Sequence, residues 1–343
     1  MGTFRFVLAL AVLLAHIATA LGPSVVNRNS LHILVWSGEA VFAFFVISGF
    51  YMSLIVNEKY ARLRGGTWRF YLNRALRLYP IHWTLLVLYG IGYAWYGAPW
   101  FLLGDFREPF ARWVYAVVSN VVFLGVEALP IAHASNWHFV VGPIWSLSIE
   151  CYFYLLAPFI VGRRLRTLAL LFAAALALRL GMYIAGVPLL PWRYFFFPAD
   201  LVFFLMGSLA WRIYPWVRDH RHAAWFGAAA AVALAISVIA PSLWTAPDLD
   251  QPVAWLFYVL VAVCTPALFA LTRRWRFDNI LGQLSYPVYL SHILVIDTVA
   301  RLPLPPALDR GLVAAIGTLA LSVVLFVAID RRVEQLRRRV GTA

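Results

Sequence analysis

The residues of this sequence most able to do chemistry are ionisable side chains inside apolar segments. The first such segment, "FRFVLALAVLLAHIATA", is apolar enough to cross a bilayer, yet it carries Arg5 and His16. On a helix these two side chains lie within about 20° of the same face and about 16 Å apart along the axis. An ionisable residue inside a membrane is by default a functional candidate. The alternative is a neutral histidine that is hydrogen-bonded within a helix bundle.

A second candidate is the arginine pair in "FYLNRALRLYP", residues 70–80. Arg74 and Arg77 are three positions apart, so on a helix they share a face. The planar guanidinium binds phosphate in a bidentate manner, which suits it better than lysine to phosphate recognition. A basic cytoplasmic loop explains the charge of this stretch equally well, but it does not explain why every basic residue after Lys59 is an arginine.

Two further apolar segments contain polar side chains at helical spacing. In "WSLSIECYFYLLAPF", residues 145–159, Ser146 lies one turn before Glu150, so both can face one cavity. A carboxyl group in lipid must be paired or protonated, and a structural partner for an arginine or tyrosine is the alternative to a catalytic role. Asp200, Arg179 and Arg193 are explained as well by ion pairs within the bundle as by function.

The segment "LGQLSYPVYLSHILV", residues 281–295, places His292 inside an apolar span, one turn from Tyr289. Pro287 is expected to interrupt this helix near its start. Interrupted membrane helices are tolerated where they line a cavity. We therefore expect Tyr286 and His292 to line one.

The composition excludes a soluble domain. The 343 residues are 63% hydrophobic and 13% charged, with a mean hydropathy of +0.79. A soluble domain of this size cannot bury that much apolar surface, so lipid is the expected solvent. The net charge of +13 does not indicate nucleic-acid binding, because the basic residues form short clusters between apolar blocks. Clusters of this kind mark the cytoplasmic ends of membrane spans.

The apolar segments predict an all-α, polytopic membrane protein of about ten helices, since a spanning helix needs about 20 apolar residues. One domain is expected to cover 1–343, because only a short basic tail follows the last span. The predicted spans lie near 3–21, 34–56, 78–97, 143–162, 167–186, 194–212, 223–241, 253–271, 280–299 and 309–329.

A further apolar segment, residues 113–127, is short, and charge decides whether it crosses. Without it, and with a cytoplasmic amino terminus, every basic cluster faces the cytoplasm; with it, each later cluster would face outward. We therefore predict that 113–127 is re-entrant or interfacial on the outer side. The basic clusters lie at 59–77, 163–166, 218–222, 273–276 and 331–339.

The two cysteines and the first 21 residues each allow more than one interpretation. Cys151 and Cys264 both lie in apolar segments and are expected to be buried thiols, not a disulfide or a metal pair. Residues 1–21 also resemble a cleavable signal peptide, because "ATA" at 18–20 matches a cleavage site. We expect a membrane span there, because His16 is unusual in a signal core.

Five of these motifs, in order, resemble the acyltransferase-3 family of integral membrane O-acyltransferases that modify bacterial surface glycans. The resemblance covers nearly the whole chain. Two positions depart from the family pattern, since Phe42 and Cys151 stand where acidic or polar residues are common. The matching residues are Arg5 and His16, "FFVISGF" (44–50), "NRALRLYP" (73–80), "WSLSIE" (145–150) and "LSYPVYLSH" (284–292).

The resemblance implies a ten-helix enzyme of the bacterial inner membrane, with both termini cytoplasmic. It implies that acyl-CoA, usually acetyl-CoA, is the donor and that no metal takes part. His16 is then the catalytic residue, with Arg5 beside it, and Arg74 and Arg77 bind the donor. Glu150 is expected to act with them, orienting the acceptor or His16. Ser146, Tyr286 and His292 are expected to line the acceptor cavity.

The same resemblance leaves the mechanism and the acceptor open. His16 can act as a general base on the acceptor hydroxyl or can carry the acyl group itself. Exopolysaccharide, the O-antigen of lipopolysaccharide, peptidoglycan and a secreted small molecule are all possible acceptors. Outer-loop tryptophans can stack on sugar rings or form an interfacial belt; they are Trp100, Trp113 and Trp137.

Two other classes of function are compatible with a polytopic chain of this kind. Buried ionisable residues also occur in proton-coupled transporters and flippases. Such proteins often have two halves with matching broken helices, and this sequence shows no such repeat. A membrane anchor without activity would leave the intramembrane charges unexplained.

Overall fold

The computed structural model describes residues 1–26, 37–95, 110–132, 139–240 and 248–342. Within these ranges all regular structure is helical, which confirms the predicted all-α class. Short turns of 3₁₀ or π helix occur at Tyr60–Arg62, Leu189–Arg193 and Phe326–Asp330. The α-helices are α1 Gly2–Leu21, α2 Ser37–Glu58, α3 Gly66–Trp95, α4 Phe110–Val122, α5 Ala128–Ala132, α6 Ile144–Ile160, α7 Leu165–Ile184, α8 Phe197–Asp219, α9 Ala223–Ile239, α10 Pro252–Thr272, α11 Arg276–Arg301, α12 Arg310–Leu325 and α13 Arg331–Thr342.

Length and apolarity identify this chain as a membrane protein. Shorter apolar helices include α6 and α9. The helices α3, α8 and α11 have 30, 23 and 26 residues, but charged side chains interrupt their apolar character. In the described part of the chain, five helical segments are long and apolar enough to cross a bilayer: Gly2–Leu21, Ser37–Arg62, Leu165–Ile184, Pro252–Thr272 and Arg310–Val340.

The segment 113–127 forms α4 and the turn that follows it. α4 has 13 residues. Its length is therefore about 20 Å, which is less than the roughly 30 Å of a hydrocarbon core. Phe110 and Val118 are exposed, whereas Ser119 is buried. α4 is too short to cross, in agreement with the prediction that this segment does not span.

The centre of the bundle is α2, which packs closely against α8. The two backbones meet at Gly49 and Gly207, where an added Cβ would lie 1.9 Å from the carbonyl oxygen of Phe204 and 1.8 Å from that of Val46. Small residues allow membrane helices to approach in this way. The contact fixes α2, whose other face lines the candidate site.

α1 and α11 lie side by side and run in the same direction. The amide nitrogens of Gly2 and Thr3 each donate to the Asp278 carboxylate over 2.8 Å. Further along both helices, the rings of His16 and His292 have centroids 4.9 Å apart. The parallel packing thus fixes where the two histidines meet.

The sequence predicted an interruption of the helix at Pro287, and this prediction is wrong. α11 continues through Pro287 from Arg276 to Arg301. Proline lacks the N–H that would bond the carbonyl of Gln283, four residues earlier. Gln283 lines a cavity, where a carbonyl group without its helical partner is tolerated.

Candidate active site

A cavity of about 570 Å³ lies at the end of the bundle where α1, α3 and α11 begin and α2 ends. Residues of α6 and α13 complete its wall. Ser146, Tyr286 and Tyr289 lie on its surface together with an excess of positive charge. Its charged lining residues are Arg5, Arg74, Arg77, Glu150, Glu334, Arg337 and Arg338.

Arg77 is already neutralised within the protein. Its Nη1 lies 2.7 Å from Oδ2 of Asp330, and both side chains are almost fully buried. The Arg77 guanidinium also lies 5.3 Å from the centre of the Tyr286 ring. Its charge therefore mainly compensates a buried carboxylate, and it contributes less to binding an anion than the sequence predicted.

Arg74 and Arg5 have no carboxylate partner among the described residues. Arg74 donates from Nη2 to Oδ1 of Asn73 over 2.6 Å, and its Nε is buried without a hydrogen bond. The guanidinium of Arg5 lies 5.9 Å from the centre of the Tyr51 ring. Two guanidinium groups without an ion-pair partner in the described ranges thus adjoin an open volume, and such groups are suited to binding an anion.

The polar residues deeper in the cavity hold one another in place. Glu150 accepts a hydrogen bond from the Ser48 hydroxyl. The hydroxyl groups of Ser146 and Tyr289 share a hydrogen bond of 2.7 Å. Tyr286 donates to the carbonyl oxygen of Leu78 over 2.7 Å. The cavity thus brings Ser146, Glu150 and Tyr286 to one place.

His16 and His292 form a pair in which both imidazoles are oriented by their own helices. Nδ1 of His16 lies 2.8 Å from the carbonyl oxygen of Val12, and Nδ1 of His292 lies 2.7 Å from that of Tyr289. A carbonyl oxygen only accepts, so in each ring Nδ1 carries the hydrogen. Nε2 is then the basic nitrogen of each neutral imidazole. In His292 this Nε2 is buried without a partner among the described residues.

The histidine pair lies one side chain away from the cavity. Neither His16 nor His292 is among the residues that line it, and His16 is half-buried against α11. Tyr289 lines the cavity, and its ring centroid is 6.1 Å from that of His292 and 5.7 Å from that of Phe44, which also lines the cavity. Tyr289 therefore belongs both to the cavity wall and to the surroundings of His292.

Sequence reasoning missed several residues of this site. Arg337 and Arg338 belong to the predicted basic cluster 331–339, and Asp330, which precedes it, is not among the predicted site residues. Ser48 is not a predicted site residue either, although it lies in the motif "FFVISGF" (44–50). Of the outer-loop aromatics, Trp113 stacks on Phe110 at 5.8 Å between ring centroids. Trp100 and Trp137 lie outside the described residues.

A second buried charge cluster lies away from the cavity, at the C-terminal part of α7. The Arg179 guanidinium binds the carboxylates of Asp200, at 2.6 Å, and Asp250. It also lies 4.6 Å from the centre of the Phe42 ring. Arg193 binds Asp250 and Asp248, the latter at 2.6 Å. The hydrogen bonds from Arg193 hold the pKa of Asp248 below its ordinary value. Ion pairing thus explains these charges.

Comparisons with known proteins give two sequence matches. A family model described as "Acyltransferase domain" matches residues 2–329. The chain is also similar to nodulation protein 10 of Rhizobium leguminosarum bv. viciae, with 24% identity over an alignment that covers 89% of this chain and 84% of that protein. No solved structure matches the chain significantly.

Proposed function

Because the chain belongs to the acyltransferase-3 family, with a match over residues 2–329, we propose that this membrane acyltransferase is an O-acyltransferase. In this proposal an acyl group, most simply acetyl, moves from cytoplasmic acyl-CoA to a hydroxyl group of a glycan on the outer side. The observation that carries the proposal is the His16 imidazole, whose bond from Nδ1 to Val12 leaves Nε2 as the basic nitrogen and whose neighbour His292 adjoins Tyr289 in the wall of an arginine-lined cavity.

The proposed donor fits the order of the groups along α1. The phosphates of acyl-CoA carry its charge, and Arg5 and Arg74 offer guanidinium groups without a carboxylate partner. His16 lies about 16 Å further along the helix axis than Arg5. The uncharged pantetheine arm can bridge this distance and bring the thioester to the imidazole, provided that it passes the Tyr289 ring.

His16 then removes the proton of the acceptor hydroxyl. The hydroxyl oxygen bonds to the thioester carbonyl carbon, the carbon–sulfur bond breaks, and the proton on Nε2 returns to the leaving thiolate. In the alternative route, Nε2 itself bonds to the thioester carbonyl carbon and the carbon–sulfur bond breaks, which releases the CoA thiolate. The acceptor hydroxyl oxygen then bonds to that carbon, the bond to Nε2 breaks, and the hydroxyl proton neutralises the thiolate. Both routes need the lone pair of Nε2, and the bond from Nδ1 to Val12 places the hydrogen of the neutral imidazole on Nδ1.

The proposed orientation places the arginine end of the bundle in the cytoplasm. We count ten spans, namely α1, α2, α3 and α6 to α12. The parallel packing of α1 and α11 supports this count. Seven of the ten spans lie between these two helices, and an odd number of intervening spans makes them run in the same direction. If α4 also crossed, eight spans would lie between them and α1 and α11 would be antiparallel. Both termini then face the cytoplasm of a bacterial inner membrane, in keeping with the positive-inside rule. Exopolysaccharide and O-antigen are the favoured acceptors.

The test of the proposed function is the His16→Ala variant. General base catalysis contributes about 10² to 10⁴ in rate, so transfer should fall by at least about 100-fold. A small apolar residue is compatible with α1, so insertion should be unchanged. The measurements are mass spectrometry of surface glycans in producing cells and acyl transfer from acetyl-CoA by the purified protein.

His222→Ala is the matched control, because His222 is exposed in the turn before α9 and should leave transfer unchanged. Acylated glycan at the wild-type level from His16→Ala would refute the catalytic role. Exchange of label between acetyl-CoA and free CoA without an acceptor separates the two routes, since only an acyl-histidine intermediate permits it.

A further inference from the structure

The helix α13, Arg331–Thr342, lies outside the residues that the family model matches and covers one side of the cavity mouth. Two side chains of α3 donate hydrogen bonds to carbonyl groups of α13. Nδ2 of Asn73 donates to the carbonyl oxygen of Arg337 over 3.2 Å, and Nη1 of Arg69 donates to that of Val340 over 3.3 Å. α13 is therefore attached to the helix that carries Arg74.

The guanidinium groups of Arg74 and Arg337 meet at one oxygen atom. Oδ1 of Asn73 accepts from Nη2 of Arg74 at 2.6 Å and from Nη2 of Arg337 at 3.3 Å. Glu334 binds Arg337 at 2.6 Å and Arg338 at 3.5 Å. Arg74 thus lies beside an arginine pair that shares one carboxylate, and like charges at this separation repel each other.

Two nitrogen atoms of this group have no hydrogen bond. Nε of Arg74 and Nε of Arg337 are both buried without a partner among the described residues. A buried donor that bonds to nothing is costly, and the cost is removed when an acceptor binds. An anion with several oxygen atoms would compensate the surplus charge and accept from the free donors.

We propose that α13 completes the donor site, with Arg337 and Arg338 joining Arg74 around the phosphate on the ribose of acyl-CoA. This inference rests on the proposed function. α13 lines the cavity at the end of the bundle where α1 begins, whereas His16 lies about 16 Å further along α1 than Arg5. The nucleotide is likewise the end of the donor farthest from the thioester. A phosphate monoester carries nearly two charges at neutral pH, which suits a cluster of guanidinium groups.

The opposite face of α13 provides the matched control. Arg332 is exposed and does not line the cavity, whereas Arg337 and Arg338 do. Changing Arg332 to glutamine removes the same charge from the same helix. A general attraction of α13 to anionic molecules would make all three arginines equivalent, whereas a binding site would not.

The experiment compares the wild type with Arg337→Gln, Arg338→Gln and Arg332→Gln, as purified full-length proteins. Each is titrated with acetyl-CoA and with the analogue that lacks the ribose phosphate. Loss of one charge-assisted hydrogen bond should weaken acetyl-CoA binding about tenfold in the two cavity variants. Their affinity for the analogue should be unchanged, so the preference for the phosphate falls. Arg332→Gln should bind both ligands as the wild type does.

Folding is controlled by Arg338→Gln, because the Arg338 side chain is 78% exposed and can be removed without loss of packing. Thermal unfolding without donor checks every variant. If the wild type binds no acyl-CoA, the proposed function fails and this inference fails with it. If the wild type binds it and the cavity variants keep the full phosphate preference, only this inference is overturned. An effect seen solely in nanodiscs with anionic lipid would assign the arginines to lipid headgroups and also overturn it.

Discussion

Two buried groups of charges can be compared in this protein, and they are built on opposite principles. Around Arg179 and Arg193, every guanidinium bonds to aspartate, and Arg179, Asp200 and Asp250 have no exposed side-chain surface. At the cavity, Arg5 and Arg74 have no carboxylate partner in the described part of the chain, and an open volume of about 570 Å³ adjoins them.

This difference shows that buried charge alone does not identify a functional site. Both groups contain arginine inside apolar segments, so both satisfy the rule that intramembrane ionisable residues are functional candidates. The group around Arg179 is nearly charge-balanced and holds α7, α8 and the segment before α10 together. The group at the cavity is unbalanced and open, which is a disadvantage for stability and a requirement for binding an anion.

The largest effect on stability is expected at the balanced group, that is, the ion pairs around Arg179 and Arg193. Arg179→Met leaves Asp200 and Asp250 buried without their counter-charge, and breaking a buried ion pair by removing one partner costs about 3–5 kcal/mol. We expect a large fall in thermal unfolding temperature in detergent. The protein that remains folded should bind acyl-CoA with unchanged affinity.

Arg5→Met is the matched control at the unbalanced group, since no described carboxylate loses a partner. Its unfolding temperature should be equal to that of the wild type or higher, while donor affinity falls. The comparison breaks down if Arg5→Met unfolds as readily as Arg179→Met, or if the latter weakens donor binding without loss of stability.

A smaller effect is expected within the cavity, where Arg74 and Arg77 should behave differently. Arg74→Ala should weaken acyl-CoA binding about tenfold with little change in stability, because the side chain donates only to Asn73. Arg77→Ala should mainly destabilise the protein, because Asp330 stays buried without its partner. Titration calorimetry and thermal unfolding of both variants separate the two effects.

The double variant Arg77→Ala, Asp330→Asn tests this assignment. It should recover much of the stability that Arg77→Ala loses, because the unpaired carboxylate is gone. Unchanged donor affinity in both single variants would remove the phosphate-binding role from this pair of arginines.

Much of the fold could be predicted from the sequence, because lipid imposes simple rules on composition. A long apolar segment has to be a helix, and the clusters of basic residues orient the segments. The short segment 113–127 was separated from the spans by charge alone. Pro287 was misjudged because a local rule about proline cannot reveal that α11 passes a cavity, where the loss of one backbone hydrogen bond is tolerated.

The site was predictable as a set of residues but not as a set of partners. Spacing on one helix shows that Arg74 and Arg77 share a face, yet it cannot show that Asp330 lies against one of them. That contact joins residues separated by most of the chain. In the same way, spacing along one helix cannot show that Asn73 contacts α13, or that Tyr289 lines the cavity into which Arg74 faces.

The smallest expected effect on stability comes from the partly exposed ion pair between Asp248 and Arg193, and it depends on pH. Hydrogen bonds from Arg193 lower the pKa of Asp248, so the folded state holds this carboxyl group ionised at pH values where the unfolded chain begins to protonate it. The stabilisation is present above the ordinary aspartate pKa of about 3.9 and is lost as the pH falls through the lowered value. Asp248 is 26% exposed. The ion pair therefore stabilises the folded state by about 1 kcal/mol or less.

The Asp248→Asn variant should unfold at a slightly lower temperature than the wild type at pH 6, and this difference should disappear on acidification below about pH 4. Asp219→Asn breaks the exposed pair with Arg218 and should show no difference at any pH, since 64% of that carboxylate side chain is exposed. A gap between wild type and Asp248→Asn that widens on acidification would show that Asp248 is stabilised in its protonated form, contrary to its pairing with Arg193.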